Sequence, residues 1–183
     1  MIILTGFGPY QSYRDNASGL IVQEIESNNF ELKIRKEILP VSWKSSIRLY
    51  KRVLYNSNTP PKCVILMGIQ SSKHYSLETV SWNFAFGKDI DNCFKLGVIK
   101  YKLNICLRTS LDILSLYSKL KNRMELKLSY LPGFYLCNYV YYLALSISQY
   151  QYPVIFIHIP HEESIKRGIK TVNQIIKTTI SIL

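Results

Sequence analysis

Lys127-Leu128-Ser129-Tyr130-Leu131-Pro132-Gly133-Phe134-Tyr135-Leu136-Cys137-Asn138-Tyr139-Val140-Tyr141-Tyr142 changes its hydrophobic period part-way along. As far as Leu131 the segment is extended and apolar. Pro132-Gly133 breaks it, and from Leu136 onward Leu136, Val140, Leu143 and Ile147 recur at helical spacing. The continuation repeats the pattern. Pro153 to Ile159 has the unbroken apolar character of a strand covered on both faces, and Glu162 onward carries Ile165, Ile169, Val172, Ile176 and Ile180 toward a core.

The same alternation runs back to the N-terminus. Met1 to Thr5 reads as a buried first strand, and Gly6-Phe7-Gly8-Pro9-Tyr10 as a tight turn. Asp15 or Asn16 can cap a helix from Ala17 to about Glu26, and Ser42 one that runs to about Tyr55. Phe30 to Leu39 alternates as a strand near the sheet edge, whereas Cys63 to Met67 is continuously apolar and central. Gly68 to Lys73 is expected to be loop, Tyr75 to Phe84 one further strand, and Gly87 to Gly97 an irregular surface excursion. An amphipathic helix is expected over Ser110 to about Asn122, with Leu111, Leu114, Tyr117 and Leu120 on its apolar face. Alternating strands and helices predict an α/β chain, a single-domain three-layer α/β/α sandwich over residues 1–183 with a mostly parallel central sheet.

Composition narrows the partners. The formal net charge is +11, but the basic residues are spread along the chain (Lys33, Arg35 and Lys36; Lys51 and Arg52; Lys100 and Lys102; Lys119, Lys121 and Arg123). Scattered cations read as solvated faces, so no nucleic-acid partner is expected. No apolar run reaches the roughly 20 residues of a membrane helix, so no membrane partner is expected either. The start lacks a basic leader, and the expected location is cytoplasmic. Cys63, Cys93, Cys106 and Cys137 form no close metal-type pair, and a disulfide framework is not expected.

One of those cysteines has chemistry to offer. Cys137 falls where a loop becomes the first turn of a helix, where unpaired backbone N–H groups and the helix dipole favour a thiolate. His158 ends the strand-like run Val154 to Pro160, and Glu78 stands alone in the apolar setting Ser76-Leu77-Glu78-Thr79-Val80. Ligands of such sheets gather beyond the carboxyl ends of the strands, where Cys137 and His158 both fall. Together they make a Cys-His-Glu hydrolytic set. Taken one at a time, Cys137 reads equally as a small buried residue, His158 as a core histidine and Glu78 as a strand-surface carboxylate. His161, three residues after His158, has no third ligand near it in the sequence and is expected at the surface, not on a metal.

Five segments in order, Thr5-Gly6-Phe7-Gly8-Pro9-Tyr10, Leu39-Pro40-Val41-Ser42, Glu78-Thr79-Val80-Ser81-Trp82-Asn83, Phe134-Tyr135-Leu136-Cys137-Asn138 and Phe156-Ile157-His158-Ile159-Pro160, resemble pyroglutamyl peptidase I, also called pyrrolidone-carboxylate peptidase. The resemblance runs nearly end to end. It implies a cysteine exopeptidase that removes N-terminal pyroglutamate from peptides without metal or cofactor. It implies Cys137 as nucleophile, His158 as general base and acid, and Glu78 as the group that orients the imidazole. Phe7, Tyr10, Tyr135 and Leu136 match positions of the lactam pocket, with Ile69 and Lys88 as further substrate-binding candidates. Homo-oligomers, dimers or tetramers, are implied as well.

The chain also departs from the family pattern. The loop Gly68 to Lys73 is shorter and lacks an arginine, Lys88 and Thr79 stand where the family has arginines, and Cys93 to Met124 is shortened. A lysine cannot reproduce a planar bidentate contact. Two other readings therefore stand beside the peptidase: an attenuated or non-catalytic homologue that binds a pyroglutamyl or related small ligand, and a basic nucleic-acid binder.

Overall fold

The computed structural model describes residues 1–10, 15–57 and 59–183. In chain order the elements are β1 (Ile2–Phe7), α1 (Ala17–Glu24), β2 (Ile34–Leu39), α2 (Trp43–Tyr55), β3 (Cys63–Gln70), β4 (Tyr75–Glu78), β5 (Val80–Trp82), β6 (Ala85–Lys88), β7 (Phe94–Gly97), β8 (Cys106–Arg108), α3 (Ile113–Leu120), β9 (Leu126–Ser129), α4 (Leu136–Ser148), β10 (Val154–Pro160) and α5 (Ile165–Ile180). Side-chain oxygens of Asn16, Ser42, Asp112 and Ser164 cap α1, α2, α3 and α5 by accepting backbone N–H bonds.

Six strands form the central sheet in the order β2-β1-β3-β10-β4-β9. The first four run parallel, while β4 lies antiparallel to β10 and parallel to β9. Alternate residues of β1, β3 and β10 serve opposite faces. Ile2, Leu4, Ile65, Met67, Ile155 and Ile157 pack with Ile21, Leu116, Val172 and Ile176 of α1, α3 and α5. Ile3, Val64, Leu66, Val154 and Phe156 pack with Tyr50 and Val53 of α2 and Val140 and Ala144 of α4. Both faces are covered, which is why these strands read as continuous apolar runs. The layers are α/β/α.

The structure differs from the sequence expectation at four places. The Gly68–Lys73 segment is strand as far as Gln70, because β3 stays paired to β10 through the match of Gln70 with Pro160. Tyr75–Phe84 is not one strand. After Glu78 the Thr79 N–H donates to Ser129 O (2.8 Å), and the chain leaves the sheet to pair as β5 with β8. Gly87–Gly97 lies within the antiparallel hairpin β6–β7. In α3 the buried residues are Ile113, Leu116 and Leu120, whereas Leu114 is 61% exposed. Asp112 caps that helix, so Leu111 lies before it and the helical spacing that would place Leu114 on the same face as Leu111 does not hold.

Candidate active site

Sheet register brings the acid and the base together. In the antiparallel pair β10–β4, Phe156 faces Glu78 and His158 faces Ser76. Glu78 is therefore the diagonal neighbour of His158 on the face that α4 covers, within reach of a long side chain. Glu78 Oε1 and His158 Nδ1 are 2.7 Å apart, and both side chains are almost fully buried. Tyr141 of α4 donates its hydroxyl to the Glu78 backbone oxygen (3.0 Å), and the Phe156 ring lies against the imidazole with centroids 4.8 Å apart. Glu78 Oε2 is buried with no hydrogen-bond partner among the described residues, so the imidazole is the partner this carboxylate has. A buried carboxylate with one cationic neighbour holds that neighbour charged.

The third side chain comes from α4. The Cys137 thiol stands close enough to His158 to act on the charge of the imidazole. It is partly accessible, and it overhangs Gly68, the residue paired with His158 on β3. A Cβ at Gly68 would stand 2.7 Å from Cys137 Sγ and 3.0 Å from Phe156 Cζ, so only glycine lets the thiol sit this close to the sheet. Burial acts to lower the pKa of His158. The interaction with Cys137, followed by that with Glu78, outweighs burial and raises the pKa to about 9. The imidazole is thus protonated at neutral pH. By contrast, burial pushes the Cys63 thiol up to about 12, as expected of a cysteine that serves only as core.

Asn138 fixes the start of α4. Its Oδ1 accepts from Ser81 Oγ (2.8 Å) and Trp82 N (2.8 Å), and its Nδ2 donates to Trp82 O and Phe84 O (2.8 Å each). No side chain caps the helix among the described residues, so the first-turn N–H groups around Cys137 are not occupied by a cap.

Beside the thiol lies a cavity of about 200 Å³ lined by Phe7, Tyr10, Asn16, Val41, Ile69, Gln70, Ser71, Tyr135, Leu136, Cys137 and His161. Of the residues expected in the pocket, Phe7, Tyr10, Ile69, Tyr135 and Leu136 line it. Lys88 enters differently. The residue borders a neighbouring concavity, and its backbone oxygen accepts from the hydroxyls of Tyr10 (3.1 Å) and Tyr135 (2.8 Å). The turn after β1 is held by Ser18 Oγ, which accepts from Phe7 N, and by Asn16 Nδ2, which donates to Gly8 O. Gln70 and Ser71 were missed because the expected loop is the end of a strand that points at the site. His161, expected at the surface, is half-buried in the cavity wall. Among the described residues no three His, Cys, Asp or Glu side chains are grouped so as to hold a metal ion.

A model of the pyroglutamyl peptidase family matches residues 1–173. The chain belongs to this family. Membership makes it a cysteine peptidase by class. Pyrrolidone-carboxylate peptidase 1 of Saccharolobus solfataricus is 27% identical in an alignment 177 residues long that covers 89% of this chain and 80% of the relative. The pyrrolidone-carboxylate peptidase of Thermococcus litoralis is 25% identical in an alignment 169 residues long that covers 87% of this chain and 76% of the relative. Among solved structures, the pyrrolidone carboxyl peptidase of Fervidobacterium islandicum AW-1 superposes with a TM-score of 0.90 at 24% identity, covering 100% of this chain and 99% of that one. The enzyme of Thermus thermophilus gives 0.88 at 21% identity, with full coverage of both. These two structural likenesses establish the fold.

Proposed function

We propose that this member of the family hydrolyses the bond after an N-terminal pyroglutamate, with Cys137 as nucleophile, His158 as acid and base and Glu78 as its orienting partner. The observation that supports this best is a small, largely apolar cavity opening on Cys137, with the buried His158–Glu78 pair beside the thiol. At about 200 Å³ the cavity is smaller than the roughly 300–1,000 Å³ of pockets for drug-sized ligands. Its described lining contains no Lys, Arg, Asp or Glu. A neutral five-membered lactam suits such walls, whereas a free N-terminal glutamate would have to bring an ammonium and a carboxylate out of water.

The lactam ring packs among Phe7, Tyr10 and Tyr135, and its carbonyl chain points at the thiol. Cys137 attacks as the thiolate, and the oxyanion of the tetrahedral intermediate meets first-turn N–H groups of α4. The His158 imidazolium gives its proton to the departing amine. Neutral His158 then takes a proton from water, which attacks the thioester and releases pyroglutamate. Glu78 keeps the Nδ1 side of the ring fixed through both steps.

A nucleophilic thiol must stay reduced. All four cysteines are free, which supports a reducing, cytoplasmic setting. No helix among the described residues is long and apolar enough to cross a membrane. We take the enzyme to act as one catalytic domain over residues 1–183 and as a homo-oligomer on pyroglutamyl peptides. The test is release of a fluorophore from a pyroglutamyl amide, with glutamyl and prolyl amides as controls. Cleavage selective for pyroglutamate and lost in Cys137→Ala is expected. Undiminished turnover in a folded Cys137→Ala protein refutes the assignment.

A further inference from the structure

Gln70 ends β3 with its side chain on the face that carries the active site. Gly68, two residues earlier, lies under Cys137 Sγ, and side chains two apart on a strand point the same way. Sheet register sets what lies beside it. Gln70 is paired with Pro160 of β10, and His158, two residues before Pro160, is flanked by Gly68 on β3 and by Ser76 on β4. Over the compact ring of Pro160 the Gln70 side chain reaches across β10 toward β4. There its Nε2 donates to His74 O (2.7 Å) and to Ser76 Oγ (2.9 Å).

Those two contacts fix the amide. A carboxamide nitrogen carries two hydrogens, and both are in use. A backbone carbonyl only accepts, so His74 O decides which end of the amide is the nitrogen. The other end, Oε1, is left as an acceptor, and no group among the described residues donates to it. Gln70 is half-buried and lines the cavity beside Cys137. It stands apart from the aromatic side chains that suit the lactam. Phe7 and Tyr10 come from the end of β1 and just beyond it, whereas Gln70 leans from β3 across β10, away from β1. Glu78 holds Nδ1 of His158 from its place opposite Phe156, which leaves Nε2 toward the strand ends, where Gln70 lies.

We propose that Gln70 Oε1 accepts the N–H of the scissile amide and so turns the leaving nitrogen toward His158. While conjugated with its carbonyl, an amide nitrogen is a poor proton acceptor. When the Cys137 thiolate adds to the carbonyl carbon, conjugation is lost and the nitrogen becomes pyramidal, with one hydrogen and one lone pair. The hydrogen stays bonded to Gln70 Oε1, and the lone pair takes the proton from His158 Nε2. The C–N bond then breaks, which leaves the acyl group on sulfur as a thioester and releases the amine with both hydrogens. Without the acceptor the nitrogen is free to turn its lone pair away from the imidazolium, and the intermediate expels the thiolate instead. Because His74 and Ser76 hold the amide before substrate arrives, little side-chain freedom is lost when the bond forms.

This inference rests on the proposed peptidase activity. The test compares pyroglutamyl benzylamide with pyroglutamyl benzyl ester, which differ only in NH against O at the leaving atom. Both give the same thioester on Cys137, so a disturbed pocket or thiol affects them alike. In Gln70→Met, which keeps the length and loses the acceptor, kcat/KM for the amide should fall at least about tenfold while that for the ester stays within about threefold. Gln70→Glu keeps an acceptor oxygen and should hold the amide-to-ester ratio within about threefold of wild type. Equal losses on both substrates in Gln70→Met, or an unchanged amide rate, overturn the proposal, as does a ratio in Gln70→Glu no better than in Gln70→Met. Should Gln70→Met not fold, Gln70→Ala takes its place with the same expectations, since truncating a half-buried residue at a strand end opens no hole in the core. A wild type that cleaves neither substrate overturns the peptidase reading and this inference with it. One that cleaves both, with a ratio that substitution at Gln70 does not move, overturns this inference alone.

Discussion

His158 draws its charge from two neighbours, and its titration should report on both. Its pKa is raised from 6.5 to about 9 by Cys137 and Glu78 against the opposing effect of burial. Above about 9 the imidazolium that protonates the leaving amine is lost, so kcat/KM should fall there. Glu78→Gln removes one raising partner and should move that limb to lower pH, with activity down about 100-fold or more; an unmoved limb in the pH–rate profile would separate Glu78 from His158. The same shift governs stability. A pKa raised on folding stabilises in full below about 6.5, and the contribution disappears as pH rises through about 9. Urea unfolding of wild type should therefore weaken between those limits more than that of His158→Ala. Gly68→Ala tests the floor of the site. Its Cβ would crowd Cys137 Sγ at 2.7 Å, and a loss of activity of at least about tenfold with about 1–3 kcal/mol of stability is expected from steady-state rates and urea unfolding. Cys137, His158 and Glu78 were all legible as types in the sequence. Their meeting was not, because the 2.7 Å contact depends on a diagonal register between strands 80 residues apart.

At the scale of elements, α4 is held by its second residue. Asn138 makes two donor and two acceptor side-chain contacts with Ser81, Trp82 and Phe84, which hang the nucleophile's helix on the segment that follows Glu78. Asn138→Ala leaves those backbone groups without their partner and should cost about 2–3 kcal/mol in urea unfolding. It should also lower kcat, since the first turn carrying Cys137 is no longer fixed; an unchanged Cm would mean that the packing of Tyr141 and Val140 suffices. A single polar residue within the apolar run Leu136 to Tyr142 was the visible sign of this clamp, although its partners were hidden. They were hidden because Tyr75–Phe84 reads as one strand when propensity alone is considered. The break at Thr79 is set by a tertiary hydrogen bond to Ser129, which no local pattern encodes. The hairpin was missed for a related reason. Its outer face is apolar and its inner face is Ala, Gly and Lys, the reverse of the pattern expected for a strand on a monomer's surface.

For the molecule as a whole, the layer order was legible because strands buried on both faces leave unbroken apolar runs separated by amphipathic helices. The antiparallel insertion of β4 was not, since a short apolar strand carries no mark of its direction. Charge acts at this scale too. The chain carries 23 Lys and Arg against 12 Asp and Glu, a formal net charge of +11. The Lys/Arg ion pairs found among the described residues, Arg167 with Glu163 (3.6 Å) and Arg167 with Glu125 (4.0 Å), are few beside that excess. Self-repulsion should then outweigh local attraction, and salt should stabilise the protein. Raising ionic strength from about 0.01 M to 0.15 M shortens the Debye length from roughly 30 Å to 8 Å, less than a domain's diameter. Thermal unfolding should show Tm rising by a few degrees over that range, where local ion pairs would give a fall.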